Sequence, residues 1–195
     1  MKKIVSIIAT LFVLATTAQA AESSALDNWG VKTIIGIEGG FGQTSIETNA
    51  TGATNQTPYL GGLGLKLGAE GQEYRIYIDG RYYIIDGVEF AFSGGATIQY
   101  IFRFSNFMNY FVGIEAGVTS FRYKVENESF TRETGLQLYY GANTGFNFDI
   151  TDSVGIELGG RYMVMDAANT KDGVLTKIPY IAEGYLAIDF KYVME

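Results

Sequence analysis

The segment Tyr74-Arg75-Ile76-Tyr77-Ile78-Asp79-Gly80-Arg81-Tyr82 alternates apolar with polar positions at period two. That period belongs to a strand lying between two unlike environments. Eight such runs follow one another, at about 31 to 42, 59 to 69, 73 to 84, 88 to 104, 108 to 123, 135 to 149, 154 to 165 and 178 to 192. An even number of antiparallel strands is what closes a single-chain bacterial membrane barrel. The pattern therefore predicts an all-β protein, a closed antiparallel transmembrane β-barrel of eight strands.

The connections alternate too. Glu70-Gly71-Gln72, Ser105-Asn106 and Thr151-Asp152-Ser153 read as tight turns. Gln43 to Pro58, Lys124 to Thr134 and Asp166 to Lys177 read as long loops, with a short one at Asp86-Gly87. Short turns on one rim and long loops on the other form the outer-membrane arrangement, which puts both termini in the periplasm and the long loops outside the cell.

Alternation does not say which face points inward, and a lipocalin-like soluble barrel would also alternate. Bulk decides it. The apolar face carries Ile35, Ile37 and Phe41, then Leu63, Leu65 and Leu67, then Ile76, Ile78 and Tyr82, and in the fourth run Phe90, Phe92, Ile98, Tyr100 and Phe102. An eight-strand interior has no room for that many large side chains, so this face is expected outside. The opposite face mixes glycines with Glu38, Lys66, Arg75, Asp79, Arg81, Glu115, Glu157, Arg161 and Glu183. Such a face suits a narrow polar lumen with charges paired across it. Aromatic residues collect near both ends of the apolar face, with Tyr74, Phe104, Phe107, Phe148 and Tyr192 toward the short turns and Phe41, Tyr59, Tyr82, Tyr162 and Tyr180 toward the loops. These positions match interfacial girdles.

The N-terminus adds an address. Lys2 and Lys3 precede the apolar stretch Ile4 to Ala15 and then Ala18-Gln19-Ala20, the basic, apolar and small-residue parts of a secretory signal. Residues 1–20 are expected to be removed, leaving 21–195 as the barrel domain. Losing two lysines leaves 12 basic residues against 21 acidic ones, a mature net charge of −9 that argues against nucleic-acid binding.

The chain has neither histidine nor cysteine. The imidazole base of most outer-membrane hydrolases is therefore missing, and so are the usual transition-metal ligands. No catalytic, metal or cofactor site is expected. Glu70, Glu89 and Asp189 join the inward carboxylates and could in principle form an acid/base pair, but Arg103 and Lys191 add to the inward bases. Buried charges normally pair, so a structural network is the better reading. The glycines of Gly62-Leu63-Gly64-Leu65-Lys66-Leu67-Gly68 lack the helix a phosphate loop needs. Asn49-Ala50-Thr51 is a glycosylation-type triplet with Glu47 two residues before it, which makes Asn49 a candidate acceptor.

Over the whole mature chain this pattern resembles the small outer-membrane barrels of the opacity, OmpA-barrel and OmpX type. The resemblance implies location in the cell outer membrane, contact with its lipid and lipopolysaccharide, delivery by the barrel-assembly machinery and a monomeric state. The last run ends with outward Leu186, Ile188, Phe190 and Tyr192 but continues into Val193-Met194-Glu195, whereas such barrels commonly end on Phe or Trp. Three roles are open: a non-enzymatic surface barrel with loops serving adhesion, surface contact or envelope integrity; a narrow pore; or an enzyme working with carboxylates alone. No residue pattern names a surface ligand.

Overall fold

The computed structural model describes residues 30–49, 55–85, 88–124, 131–133, 135–171 and 174–193. The expected signal segment and its cleavage point lie outside them. In chain order the strands are β1 (Lys32–Thr44), β2 (Glu47–Thr48), β3 (Tyr59–Glu70), β4 (Tyr74–Ile85), β5 (Val88–Arg103), β6 (Met108–Lys124), β7 (Thr131–Glu133), β8 (Gln137–Thr151), β9 (Val154–Lys171) and β10 (Val174–Tyr192).

Eight of these, β1, β3, β4, β5, β6, β8, β9 and β10, form an antiparallel meander in that order. Pairing of β1 with β10, from Thr33 with Tyr192 to Thr44 with Ile181, closes the sheet on itself. The short strands sit outside this cycle, β2 on β10 and β7 on β6. Among the described residues closure pairs the eight strands on both sides through the shared height of the wall, as a hydrocarbon environment requires.

The alternation maps onto two faces. Ile37, Ile76, Ile114 and Leu138 are exposed on the outer wall, Leu138 by 78%. So large a continuous apolar surface needs a bilayer around it. Aromatic rings frame it. Tyr74, Tyr100, Phe102, Tyr110 and Phe146 touch in sequence near the short turns, with centroids 4.7 to 6.0 Å apart. Toward the other rim Phe41 stacks on Tyr59 and Tyr162 on Tyr180. The outward Tyr110 and Thr144 hydroxyls satisfy each other at 2.7 Å, so neither is left unpaired on the lipid-facing wall.

The short turns fall where expected. Gly71 N–H donates to Tyr74 O, and Ser105 Oγ accepts from the N–H groups of Phe107 and Met108. The opposite rim differs from the expected loops. The wall there continues upward as paired strand: β9 runs to Lys171 and β10 starts at Val174, with Ala167 paired to Ile178 and Thr170 to Leu175. The stretch Asp166 to Lys177 is thus a hairpin, held by its own ladder and by the burial of Ala167 and Ile178. The register slips between Ile178 and Tyr180, at Pro179, the residue that has no N–H to give. Gln43 to Pro58 is also partly strand. Thr44 belongs to β1 and is fully buried, Ile46 bridges to Gln56, and Glu47–Thr48 pairs with β10. Between Lys124 and Thr134, β7 folds back on β6.

Candidate functional site

Inward side chains stack in layers along the barrel axis because each strand adds one inward residue for every two along the chain. From the short-turn rim upward, β4 contributes Arg75, Tyr77, Asp79, Arg81, Tyr83 and Ile85; β10 contributes Lys191, Asp189, Ala187, Tyr185, Glu183 and Ile181. All are buried.

The rim itself opens into a polar vestibule of about 490 Å³ lined by Lys32, Glu70, Arg103, Asp149 and Lys191 among others. Its floor is Lys191, whose Nζ donates to Glu70 at 3.0 Å and to Asp149 at 2.6 Å. Arg103 stays at the mouth, partly exposed, and donates to the turn carbonyls of Gly71 and Gln72.

Above it lies a first charged layer. Lys66 Nζ donates to Glu157 at 2.9 Å and sits 3.0 Å from Asp189. Arg75 bonds Glu70 through Nε and Nη2 and reaches Glu157 through Nη1. Glu157 also accepts from the Tyr185 hydroxyl at 2.7 Å. Three bases, Lys66, Arg75 and Lys191, face three acids, Glu70, Glu157 and Asp189, and the layer is neutral.

Tyr77 and Tyr185 roof this layer. The Lys66 ammonium lies 5.3 Å from the Tyr77 ring centre below, and the Arg161 guanidinium 4.1 Å from that of Tyr185 above. Glycines make the space: a Cβ on Gly159 would stand 2.6 Å from the Tyr185 ring, and one on Gly36 would be 2.4 Å from Asp189 and 2.5 Å from Lys66.

The second charged layer centres on two guanidiniums. Arg161 holds Glu38 with both Nη atoms at 2.8 Å and places Nε 3.3 Å from Glu183. Arg81 donates to Glu38 at 2.9 Å and to Glu115 at 3.1 Å and lies 3.0 Å from Asp79. Arg81 also touches Met163 Sδ, the start of the layer above.

That uppermost layer is apolar. Leu60, Tyr83, Ile85, Phe121, Met163 and Met165 pack with their neighbours into a buried cluster across the bore, and Ile46 and Val88 lean on it. The expectation of a polar lumen therefore holds only below it. Bulky side chains were assigned outside because they cannot fill a whole eight-strand interior; one apolar layer of them can, where the wall rises toward the long loops.

The nine inward charges expected from the sequence all enter the lumen, Lys66, Arg75 and Glu157 in the first layer and Glu38, Asp79, Arg81, Glu115, Arg161 and Glu183 in the second. The side chain of Glu89 lies outside the description. Sequence reasoning missed Tyr77, Tyr185, Gln99 and Asn143, and the apolar layer. The signal in the sequence is parity: Tyr77 shares it with Arg75 and Asp79, and Tyr185 with Glu183 and Asp189. Among the described residues no group of three or more His, Cys, Asp or Glu could hold a metal ion. Asn49, the glycosylation candidate, is exposed; its Oδ1 accepts from Leu175 N–H at 2.7 Å, and its own N–H donates to Leu175 O. It ties the first loop to the β9–β10 hairpin.

A closed eight-strand antiparallel barrel with an apolar outer wall, framed by aromatics and filled by ion pairs, is the architecture of small outer-membrane barrels. Comparison with solved structures gives the same fold. The chain is similar to Neisserial surface protein A (14% identity, 84% of this chain, 99% of that chain, TM-score 0.64). It is similar also to outer membrane protein H (OprH) of P. aeruginosa (17% identity, 83% and 99% covered, TM-score 0.54) and to OprG from Pseudomonas aeruginosa (12% identity, 85% and 97% covered, TM-score 0.51). No protein-family model matches the chain. No curated protein matches it in sequence.

Proposed function

We propose that this protein is a non-enzymatic surface barrel of the outer membrane, with the short-turn rim and both termini in the periplasm and the raised hairpins outside the cell, where they serve adhesion, surface contact or envelope integrity. The observation that carries the reading is the pairing of a lumen filled by ion pairs and an apolar layer with a built-up rim. Strands of about 9 to 11 residues suffice to cross a bilayer, whereas β9 has 18 and β10 has 19. The excess stands above the loop-side aromatics as a hairpin braced by β2 and Asn49. An ordered platform over a closed bore suits recognition better than passage.

The absence of histidine from the sequence and the engagement of inward carboxylates by arginine or lysine support a role without catalysis. The closed wall is compatible with the rest of this reading, a monomer bounded by lipid and lipopolysaccharide and inserted by the barrel-assembly machinery. Asn49 as a glycan acceptor is a proposal of the same kind, in which Nδ2 takes the glycan while Oδ1 accepts from Leu175 N–H. The polar vestibule is the feature that favours the second reading, a narrow pore. Two measurements on the refolded protein decide between them. Liposomes should show no appreciable flux of small solutes, and cells bearing a variant with residues 169–176 replaced by a two-residue Asn-Gly turn should lose surface binding shown by the parent while the barrel still inserts. Ready flux would overturn the surface reading in favour of the pore, and unchanged binding would remove the hairpin as the working element.

A further inference from the structure

The vestibule at the short-turn rim holds its charges differently on its floor and at its mouth. On the floor, base meets acid. Glu70 accepts from Arg75 on Oε2 and from Lys191 on Oε1, while Asp149 accepts from Lys191 and the Asn147 amide on Oδ1 and from the Asn109 amide on Oδ2. Glu70 and Lys191 are 4% and 3% exposed, so the floor is fixed by the barrel interior.

At the mouth, backbone holds the bases instead. Lys32 Nζ donates to the Asp152 carbonyl at 2.9 Å, and Arg103 donates through Nε to the Gln72 carbonyl at 2.8 Å and through Nη2 to that of Gly71 at 3.1 Å. Glu70 lies 3.5 Å from Arg103, farther than from Arg75 or Lys191, which hold it at the floor. A carbonyl orients a cation but leaves its charge in place. The registers bring the two bases together. Lys32 pairs with Glu70 across β1 and β3, and Arg103 ends β5 against the turn that follows Glu70, so both face one cup of about 490 Å³.

The cup sets acids against these bases. Its lining has Lys32, Arg103 and Lys191 opposite Glu70, Asp149 and Asp152, and of these acids Asp152 is exposed at the lip. A cup that carries both signs and no net charge is complementary to a ligand of the same kind. A plain anion is further disfavoured by the net negative charge of the whole chain, which a ligand of zero net charge does not feel. The volume falls within the range of small-ligand sites, about 300 to 1,000 Å³. Gln72, Asn106 and Thr151 add uncharged hydrogen-bonding groups to the wall, as a peptide backbone requires.

We propose that this vestibule binds short zwitterionic peptides, with Arg103 and Lys32 taking the carboxylate and Asp152 the ammonium. The Arg103 guanidinium, already fixed by two turn carbonyls, presents its planar fork to a carboxylate with little left to order. Because the cup lies inside the ring of strands, its ligand enters from the aqueous side and not from the lipid around the wall. On the orientation proposed above that side is the periplasm, where the peptide comes from the cell wall or from a processed protein. Binding itself does not rest on that orientation.

The test is calorimetric titration of the refolded protein in non-ionic detergent micelles, which leave both rims open, with trialanine, its C-terminal amide and its N-acetyl form. Trialanine should bind saturably, and each blocked form more weakly by about tenfold or more, matching the loss of one charge-assisted hydrogen bond. Arg103→Gln should bring trialanine down to the level of its amide. Asp152→Asn, which keeps the carbonyl that Lys32 uses, should bring it down to the level of its N-acetyl form. Glu73→Gln, on the outer side of the same turn, should leave all three affinities unchanged. A D-alanine terminus that binds better marks a wall source, and an L terminus a protein source. No saturable binding of trialanine overturns the proposal, as does a blocked form that binds as well as the free peptide. So does tighter binding of glycerophosphoethanolamine, the zwitterion of a lipid headgroup. If Arg103→Gln fails to refold, the ranking of the three probes on the parent still decides. Liposome flux and cell binding, which judge the surface reading, do not enter this result, so the two can fail separately.

Discussion

At the scale of single residues, the interior separates charges that hold the barrel from charges that it merely contains. Glu157 is bonded by Lys66, Arg75 and Tyr185 at once. Glu157→Gln keeps the volume but leaves two buried cations short of an anion. Removing one partner of a buried network costs about 3 to 5 kcal/mol, so unfolding of this variant in vesicles at neutral pH should show a loss of that order. Gly159 is a second such point. Gly159→Ala drives a methyl into the Tyr185 ring and through it against the bond to Glu157, and overpacking of this kind costs about 1 to 3 kcal/mol. The same unfolding assay reads it, and an unchanged midpoint would mean the ring has room to withdraw.

At the scale of the element, β4 is the strand on which sidedness is easiest to check. Ile78 faces out and Asp79 faces in, with 38% and 8% exposure. Single cysteine labels at the two positions should be quenched from the lipid phase at 78 and spared at 79; the reverse would make this a soluble-type barrel. Ile78→Arg should cost about 2 to 4 kcal/mol of refolding free energy, the range for a lipid-facing arginine near the midplane. The first loop sets another test. Its polar composition suggests that Thr44 to Gln56 can be excised freely, yet Thr44 Oγ1 donates to Tyr180 O and Ile46 packs on the apolar cluster. Excising residues 50–54 alone should leave the midpoint unchanged. Taking out 44–56 should lower stability by about 1 to 3 kcal/mol, the loss of a buried hydrogen bond and part of an apolar contact.

At the scale of the whole molecule, closure makes the folded barrel one cooperative object. The first and last strands pair along most of their length, so the structure cannot fray from an edge. Refolded protein should therefore migrate on a gel differently with and without heating, and a single band position regardless of heating would contradict a closed barrel. Truncating the apolar layer, as in Phe121→Ala, should cost about 3 to 5 kcal/mol yet leave liposomes tight, because both charged layers still fill the bore beneath it.

The alternation, plainest in 59 to 69, 73 to 84 and 154 to 165 and repeated in five further runs, was enough to place eight strands, to turn their apolar faces outward and to point nine charged residues inward. Those properties follow from period two and from side-chain bulk, both local. What it did not contain was height and partnership. Asp166 to Lys177 is polar and reads as loop, although Asp172-Gly173 is a dipeptide that favours tight hairpins; only pairing across the hairpin and burial of Ala167 and Ile178 make it strand. Tyr77 and Tyr185 carry the same parity as the charges beside them, but their role as a partition depends on meeting across the bore from β4 and β10. Which acid answers which base is likewise invisible along the chain, for Lys66 and Glu157, or Arg161 and Glu38, lie far apart in sequence and share a layer only through the registers of the strands between them. The sequence by itself determined the wall and its sidedness, since these repeat every two residues. The tertiary structure alone decided the division of the lumen into two charged layers and an apolar one, since that division is set by which residues closure brings to the same height.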